Sequence, residues 1–261
     1  MALGWKVSIV SKICFVVIAT LFISGCQTNK TESGSQLFDS RSYADAESVY
    51  LKDLEDQKRT FGESHGVVAV TLNNLAQLYD TQGRYEISES YHKQALSIRE
   101  KNNGPDSPVV AQSLTSLASL YDKQGHYDKA AALHKRALLI NERSLGPDHP
   151  AVAVSLDALA SHLSDQGRYD DAEPMQRRTL KIIENSFGAD TPEVANSLNN
   201  LAQLLIKQGR YKEVETLHIR ALEIRNEAFG KDHPVYAQSL ASLAFLFDDQ
   251  GLSNVSAYGT N

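Results

Sequence analysis

The chain has 261 residues, 42% hydrophobic and 22% charged, which is enough apolar material for a buried core and excludes general disorder. Twenty-six Lys and Arg stand against 32 Asp and Glu, for a formal charge of −6. A nucleic-acid binder carries a basic excess, so that class is set aside.

Residues 1–12 carry Lys6 and Lys12 and no acid, and an apolar run follows from Ile13 to Ile23. The run is shorter than the ~20 apolar residues a permanent membrane helix needs. A basic start, a short apolar stretch and small residues at a cut define a secretory signal, here residues 1–25. The cut region Ile23-Ser24-Gly25-Cys26 resembles the bacterial lipobox. That resemblance implies that Cys26 becomes a lipidated N-terminus, so that the protein meets a membrane through its N-terminal lipid. Gln27 is not the Asp that commonly retains Gram-negative lipoproteins at the inner membrane. The resemblance therefore implies a bacterial cell envelope location, lipid-anchored at the outer membrane and facing the periplasm. Cys14 would leave with the signal, so the mature chain has neither a free thiol nor a disulfide and is held by packing alone. Polar residues after Cys26 make 26–42 a flexible tether.

From there a ruler runs along the chain. Gly62, Gly83, Gly104, Gly125, Gly146, Gly167, Gly188, Gly209, Gly230 and Gly251 follow one another every 21 residues. A shift of 42 also aligns Leu72, Leu114, Leu156, Leu198 and Leu240, and it aligns Pro108, Pro150, Pro192 and Pro234, with Gly66 in the proline position of the first unit. A fixed period of this size is the mark of a repeat architecture. Within a unit the apolar residues recur at helical spacing, as in Leu72, Leu75, Ala76 and Tyr79.

The pattern predicts helices over 43–60, 66–82, 85–101, 108–124, 127–143, 150–166, 169–185, 192–208, 211–227 and 234–249. Gly83, Gly125, Gly167, Gly209 and Gly251 close the first helix of each pair from the left-handed region. Gly62, Gly104, Gly146, Gly188 and Gly230 close the second, before turns that lead into a helix-starting proline. The repeat domain is 43–249. It is made of a half-unit 43–62, full units 66–104, 108–146, 150–188 and 192–230, and a half-unit 234–250, with a tail over 251–261. No pair buries its apolar face alone, so the fold expected is all-α, an α-solenoid of antiparallel helix pairs. Ala76, Ala118, Ala160, Ala202 and Ala244 on first helices, and Ala95, Ala137 and Ala221 on second helices, are read as close helix contacts. Asp53 and Thr179 depart from that pattern. Pro174 falls early in a helix, where a slight bend is expected.

Residues 65–98, HGVVAVTLNNLAQLYDTQGRYEISESYHKQALSI, and 149–182, HPAVAVSLDALASHLSDQGRYDDAEPMQRRTLKI, resemble tetratricopeptide repeats of the 42-residue kind found in kinesin light chains. The resemblance spans residues 43–249. It implies a right-handed superhelix whose first helices line an inner groove.

No catalytic constellation stands out. There is no Walker loop, no nucleophile elbow, no zinc-protease motif and no calcium loop. The chain is read as a non-enzyme, with no catalytic residue, no cofactor and no metal site. His92, His134 and His218 share one repeat position, and His149 and His233 another. Equivalent residues lie about one repeat apart, too far for joint ligation of one metal. Turn capping and helix packing are the roles expected of them.

The matching groove positions are Asn73, Asn74, Gln77, Gln112, Ser119, Asn196, Asn199, Asn200, Gln203 and Gln238, with Thr115, Ser116, Asp157 and Ser161 in the same rows. The strip is polar and nearly uncharged. Amides carry both donors and acceptors, as an extended peptide backbone requires. The functional expectation is a protein-interaction scaffold at a bacterial envelope membrane that binds a peptide or protein segment in this groove. The alternative is a structural subunit of an envelope complex, joined through the C-terminal end or the convex face. Phe245 and Phe247 on the last helix are read as an apolar patch that a partner, a second copy of the chain or the tail itself covers.

Overall fold

The computed structural model describes residues 43–249, with no account of the side chains of Ser242 and 244–249. The signal, Cys26, the tether, the tail and the Phe245–Phe247 patch lie outside what it describes. Among the described residues there are ten α-helices and no strand: α1 Tyr43–Phe61, α2 Gly66–Thr81, α3 Tyr85–Asn103, α4 Pro108–Lys123, α5 Tyr127–Leu145, α6 Pro150–Asp165, α7 Tyr169–Phe187, α8 Pro192–Lys207, α9 Tyr211–Phe229 and α10 Pro234–Asp249. The chain divides into two compact units after Glu63. The first holds α1, in which Ala46, Tyr50, Asp53 and Leu54 are buried. The second holds α2–α10.

In the second unit, α2–α3, α4–α5, α6–α7 and α8–α9 pack as consecutive pairs, and each pair also packs on the next helix in sequence. A link of only three residues leaves an antiparallel neighbour as the available partner. Observed ends differ from expectation by one or two residues. First helices stop at Thr81, Lys123, Asp165 and Lys207, with Gln in the cap, and second helices run two residues further. The α7 helix continues unbroken through Pro174.

The two kinds of glycine do different work. At Gly83, φ is +72°, and Arg84 N–H donates to Tyr79 C=O at 2.9 Å while Gly83 N–H donates to Asp80 C=O at 3.0 Å. That pair of bonds is a Schellman motif, and it satisfies carbonyls that the helix end leaves open. The other three pairs repeat it, as in His126 to Tyr121 and Gly125 to Asp122. At Gly146, φ is 91° and ψ is 158°, a region that glycine alone enters readily.

The core follows the apolar stripe. Leu72, Leu75, Leu114, Leu198 and Leu201 are buried, as are the seven alanines named for close contacts whose side chains are described. Thr179 replaces alanine at one of these contacts and is also buried. Its hydroxyl donates to Ala153 C=O at 3.3 Å, so the added polar atom does not go unpaired.

The turn histidines are caps. Nδ1 of His65, His149 and His233 accepts from the backbone N–H two residues on, at 3.3, 3.1 and 3.2 Å. Gly66 is the first residue of α2, where other units carry proline. His65 before it is already extended at ψ 145°, as a residue preceding proline prefers. Gly66→Pro is therefore expected to raise unfolding free energy by about 0.4–1 kcal/mol, by narrowing the unfolded ensemble. Urea denaturation checks this, and a destabilised variant would contradict it.

Candidate functional site

The first helices of the second unit carry a repeated exposed row. Gln77, Ser119, Ser161 and Gln203 occupy one repeat position, and all four are exposed. One turn earlier, Gln112, Asn196 and Gln238 are exposed as well. These positions are polar because they point away from the stripe that packs on the second helices. Val154 stands in the same row as Gln112 and Asn196, yet it is 61% exposed. It is an exposed apolar side chain in a mostly polar strip, in the same row as half-buried Val70. Asn73, Asn74 and Asn199 are half-buried.

The asparagines at the α8 end are committed to neighbours inside the protein. Asn200 Nδ2 donates to Asp157 Oδ1 at 3.0 Å, and the same oxygen accepts from Gln176 Nε2 at 2.8 Å. Asn196 Oδ1 accepts from Arg225 at 2.9 Å. The Asn199 amide lies between His218 and Arg225. Ser119 Oγ donates to Thr115 C=O at 3.1 Å. Gln77, Gln112, Gln203 and Gln238 are further exposed amides of the strip.

Between successive units the second helices are tied by a repeated pair. Arg136 bridges Glu100 at 2.8 Å, Arg178 bridges Glu142 at 2.7 Å and Arg220 bridges Glu184 at 2.6 Å. Each arginine also donates to a carbonyl of the preceding turn, at Pro105, Pro147 and Ala189. A guanidinium has enough donors for both tasks in one plane.

The first helices are tied differently from unit to unit. Lys123 Nζ reaches Asp80 at 2.6 Å. At the next junction, Asp122 accepts from two imidazoles, His134 Nε2 at 3.0 Å on Oδ2 and His162 Nδ1 at 2.5 Å on Oδ1. Both rings are buried. Burial pushes the Asp122 carboxyl up, but the hydrogen bonds from His134 and His162 outweigh that and hold it below the usual carboxylate range. These three side chains come together from α4, α5 and α6, and their ligand atoms lie within 4.8 Å of one another. Comparing histidines only at the 42-residue period misses this set, because its members occupy three different repeat positions. The signal was His162 itself. The same position holds Leu78, Leu120 and Leu204 in the other units, all buried.

His92, the equivalent of His134 one unit earlier, is also buried. Burial is the main cause that pushes its pKa down to about 4; Asp80 pulls upward, and Arg99 and Lys123 push downward. His218 is lowered as well, by burial and by Arg225.

The fold is shared with known solenoids. The structure of BtubC (BKLC) from P. vanneervenii superposes with a TM-score of 0.68 at 23% identity, over 84% of this chain and 86% of that one. A Podosopora anserina protein with nearly identical TPR-like repeats, named for kinesin light chain, gives 0.64 at 19% identity, over 76% of this chain and 94% of that one. A Rap protein complexed with competence and sporulation factor gives 0.62 at 17% identity, over 87% and 70%. No curated protein matches the sequence significantly. The tetratricopeptide repeat model matches residues 28–101, 81–138, 127–185, 158–216 and 193–254. With its glycine-closed helix pairs, buried alanine contacts and nearly end-to-end match, the chain belongs to the tetratricopeptide repeat family.

Proposed function

We propose that this protein is a non-enzymatic interaction scaffold, anchored by a lipid on Cys26 to a bacterial envelope membrane. It holds an extended segment of a partner protein along the exposed row of its first helices. The observation that carries the reading is that row: Gln77, Ser119, Ser161 and Gln203 recur exposed once per repeat. An extended peptide presents backbone donors and acceptors at regular intervals, and amides and hydroxyls answer both. Val154, exposed at 61% within the strip, supplies an apolar contact where burial would add affinity. Tetratricopeptide proteins are generally interaction scaffolds, and one solved relative of the same fold holds competence and sporulation factor. No described helix is long and apolar enough to cross a membrane.

The test is site-specific photocrosslinking in intact cells. A photoreactive residue at Ser119, at Val154 or at Gln203 is expected to capture a discrete partner, while one at exposed Leu139 on α5 captures none. Capture from Leu139 and silence at the other three positions would reject the strip and favour a structural subunit assembled through the opposite face. Treatment that blocks lipid attachment is expected to release the protein from the membrane fraction; unchanged retention would reject the anchor.

A further inference from the structure

We infer that Asp122, His134 and His162 form a binding site for a divalent first-row transition metal, which clamps two consecutive repeats together. Three different helices supply one ligand atom each, and these atoms all lie within 4.8 Å of one another. A zinc-like ion sits about 2.0–2.2 Å from imidazole nitrogen and carboxylate oxygen, so small movements along the existing contacts suffice to seat it. Two imidazoles and a carboxylate are the donor set such ions prefer over calcium or magnesium. Asp122 is partly open to solvent, with 15% of its side chain exposed, which leaves a side for water as a fourth ligand.

Three further observations point to this cluster rather than to ordinary packing. The first is His162. The repeat places a buried leucine there in the other three full units, at Leu78, Leu120 and Leu204. Only this unit exchanges it for a buried imidazole, a substitution that costs apolar burial and has to be offset.

The second is charge. Asp80, the equivalent of Asp122 one unit earlier, is met by the Lys123 ammonium. The residue equivalent to Lys123 at the next junction is Asp165, so Asp122 has lost that cation and gained a second imidazole instead.

The third is the far side of each ring. His134 Nδ1 is buried and has no hydrogen-bond partner, so it can take the ring proton when Nε2 exchanges its hydrogen bond to Asp122 for a metal, with no second contact to displace. His162 Nε2 lies 2.8 Å from the Gln166 side-chain amide. Rotation of that amide offers its oxygen to an Nε2–H, the supporting contact that a metal-bound histidine ordinarily has. The carboxylate offsets one of the ion's two positive charges.

The experiment uses the untagged full chain, stripped with chelator and dialysed, with zinc chloride as the probe. Bound zinc is measured by elemental analysis after equilibrium dialysis, and thermal unfolding is followed with and without zinc. His162→Leu restores the residue that the other units use and is expected to fold at least as well as the parent. Asp122→Asn keeps the shape but removes the anionic ligand. The parent is expected to hold one more zinc ion per chain than either variant and to melt several degrees higher when zinc is added, because a ligand specific to the folded state stabilises it. Each variant is expected to bind zinc at this site more than about tenfold more weakly and to show no such shift. Both variants retain every cysteine and every other histidine, so adventitious zinc is common to all three proteins. Equal zinc content and equal melting shifts in the parent and His162→Leu would overturn the site and leave the triad as a hydrogen-bonded link between repeats.

Discussion

Leu114→Ala is expected to lower unfolding free energy by about 3–4 kcal/mol. Leu114 is fully buried, and its cluster consists of Val110, Ala111, Ala137 and Ile140 with Leu96 and Leu133 packed alongside. These neighbours are apolar, so a cavity among them favours staying dry, and the lost contacts would not be replaced by water. The cluster also draws on three helices, α3, α4 and α5, so it joins the preceding unit to its own. Stability in a solenoid is a sum of unit terms and neighbour terms, and this substitution weakens both. Urea unfolding followed by far-UV circular dichroism measures the loss. The same experiment on Val154→Ala, at a 61% exposed position, is expected to move stability by less than ~0.5 kcal/mol. A loss below ~1 kcal/mol for Leu114→Ala would mean that the helices close the gap by sliding together.

Acid is expected to weaken the protein through His92, and His92→Gln to remove that part of the weakening. In the folded chain the imidazole is pushed from 6.5 down to about 4. Between those values the unfolded chain binds a proton that the folded chain refuses, so stability rises with pH across this window. The contribution is complete above pH ~6.5 and is lost progressively as pH falls toward ~4, amounting to roughly 3 kcal/mol at most. Gln176 fills the equivalent position two units on and is buried there, so glutamine is a shape the repeat already accepts. Urea denaturation at pH 7.5 and pH 4.5 should show a gap narrower by about 2–3 kcal/mol in His92→Gln than in the parent. His218 is lowered too, so some acid sensitivity is expected to persist in the variant. An unchanged gap would show that His92 takes up its proton in the folded chain without cost.

Much of the fold was legible because its instructions are local. Gly83 and Gly104 each close a helix by adopting a backbone angle that other residues avoid, φ +72° and +82°, and the residues before the prolines are pushed extended. Those effects act within a few residues, so the chain order alone reveals them, and the ten helices fall within two residues of the positions expected. The buried alanines were legible for a related reason: a position that recurs as alanine in unit after unit marks a contact too close for anything larger. The capping role of His149 and His233 followed from their place before the helix start, and His65 caps its helix in the same way.

The exposure of much of the strip was legible, and its bonding was not. Gln77, Gln112, Ser119, Gln203 and Gln238 are exposed as expected. Asn196, Asn199 and Asn200 share the same rows but are drawn into bonds with Arg225, His218 and Asp157. Those partners sit on other helices, and nothing in the local pattern announces them. Polarity alone does not single out Val154; what distinguishes it is an apolar residue left in solvent, 61% exposed.

What the sequence by itself determined is the one-dimensional part: the period, the helix ends, the pairing of neighbours and the stripe each helix buries. These depend on backbone angles and on spacing along a single helix. What only the tertiary structure decided is which unlike positions meet across helices. Asp122 and His134 are 12 residues apart, and Asp122 and His162 are 40; neither spacing is the repeat. Aligning units compares residues that stand one repeat apart and never touch. Contact depends instead on how side chains interdigitate between one unit and the next, and there a single exchange of leucine for His162 turned an apolar seam into a cluster of three ligands.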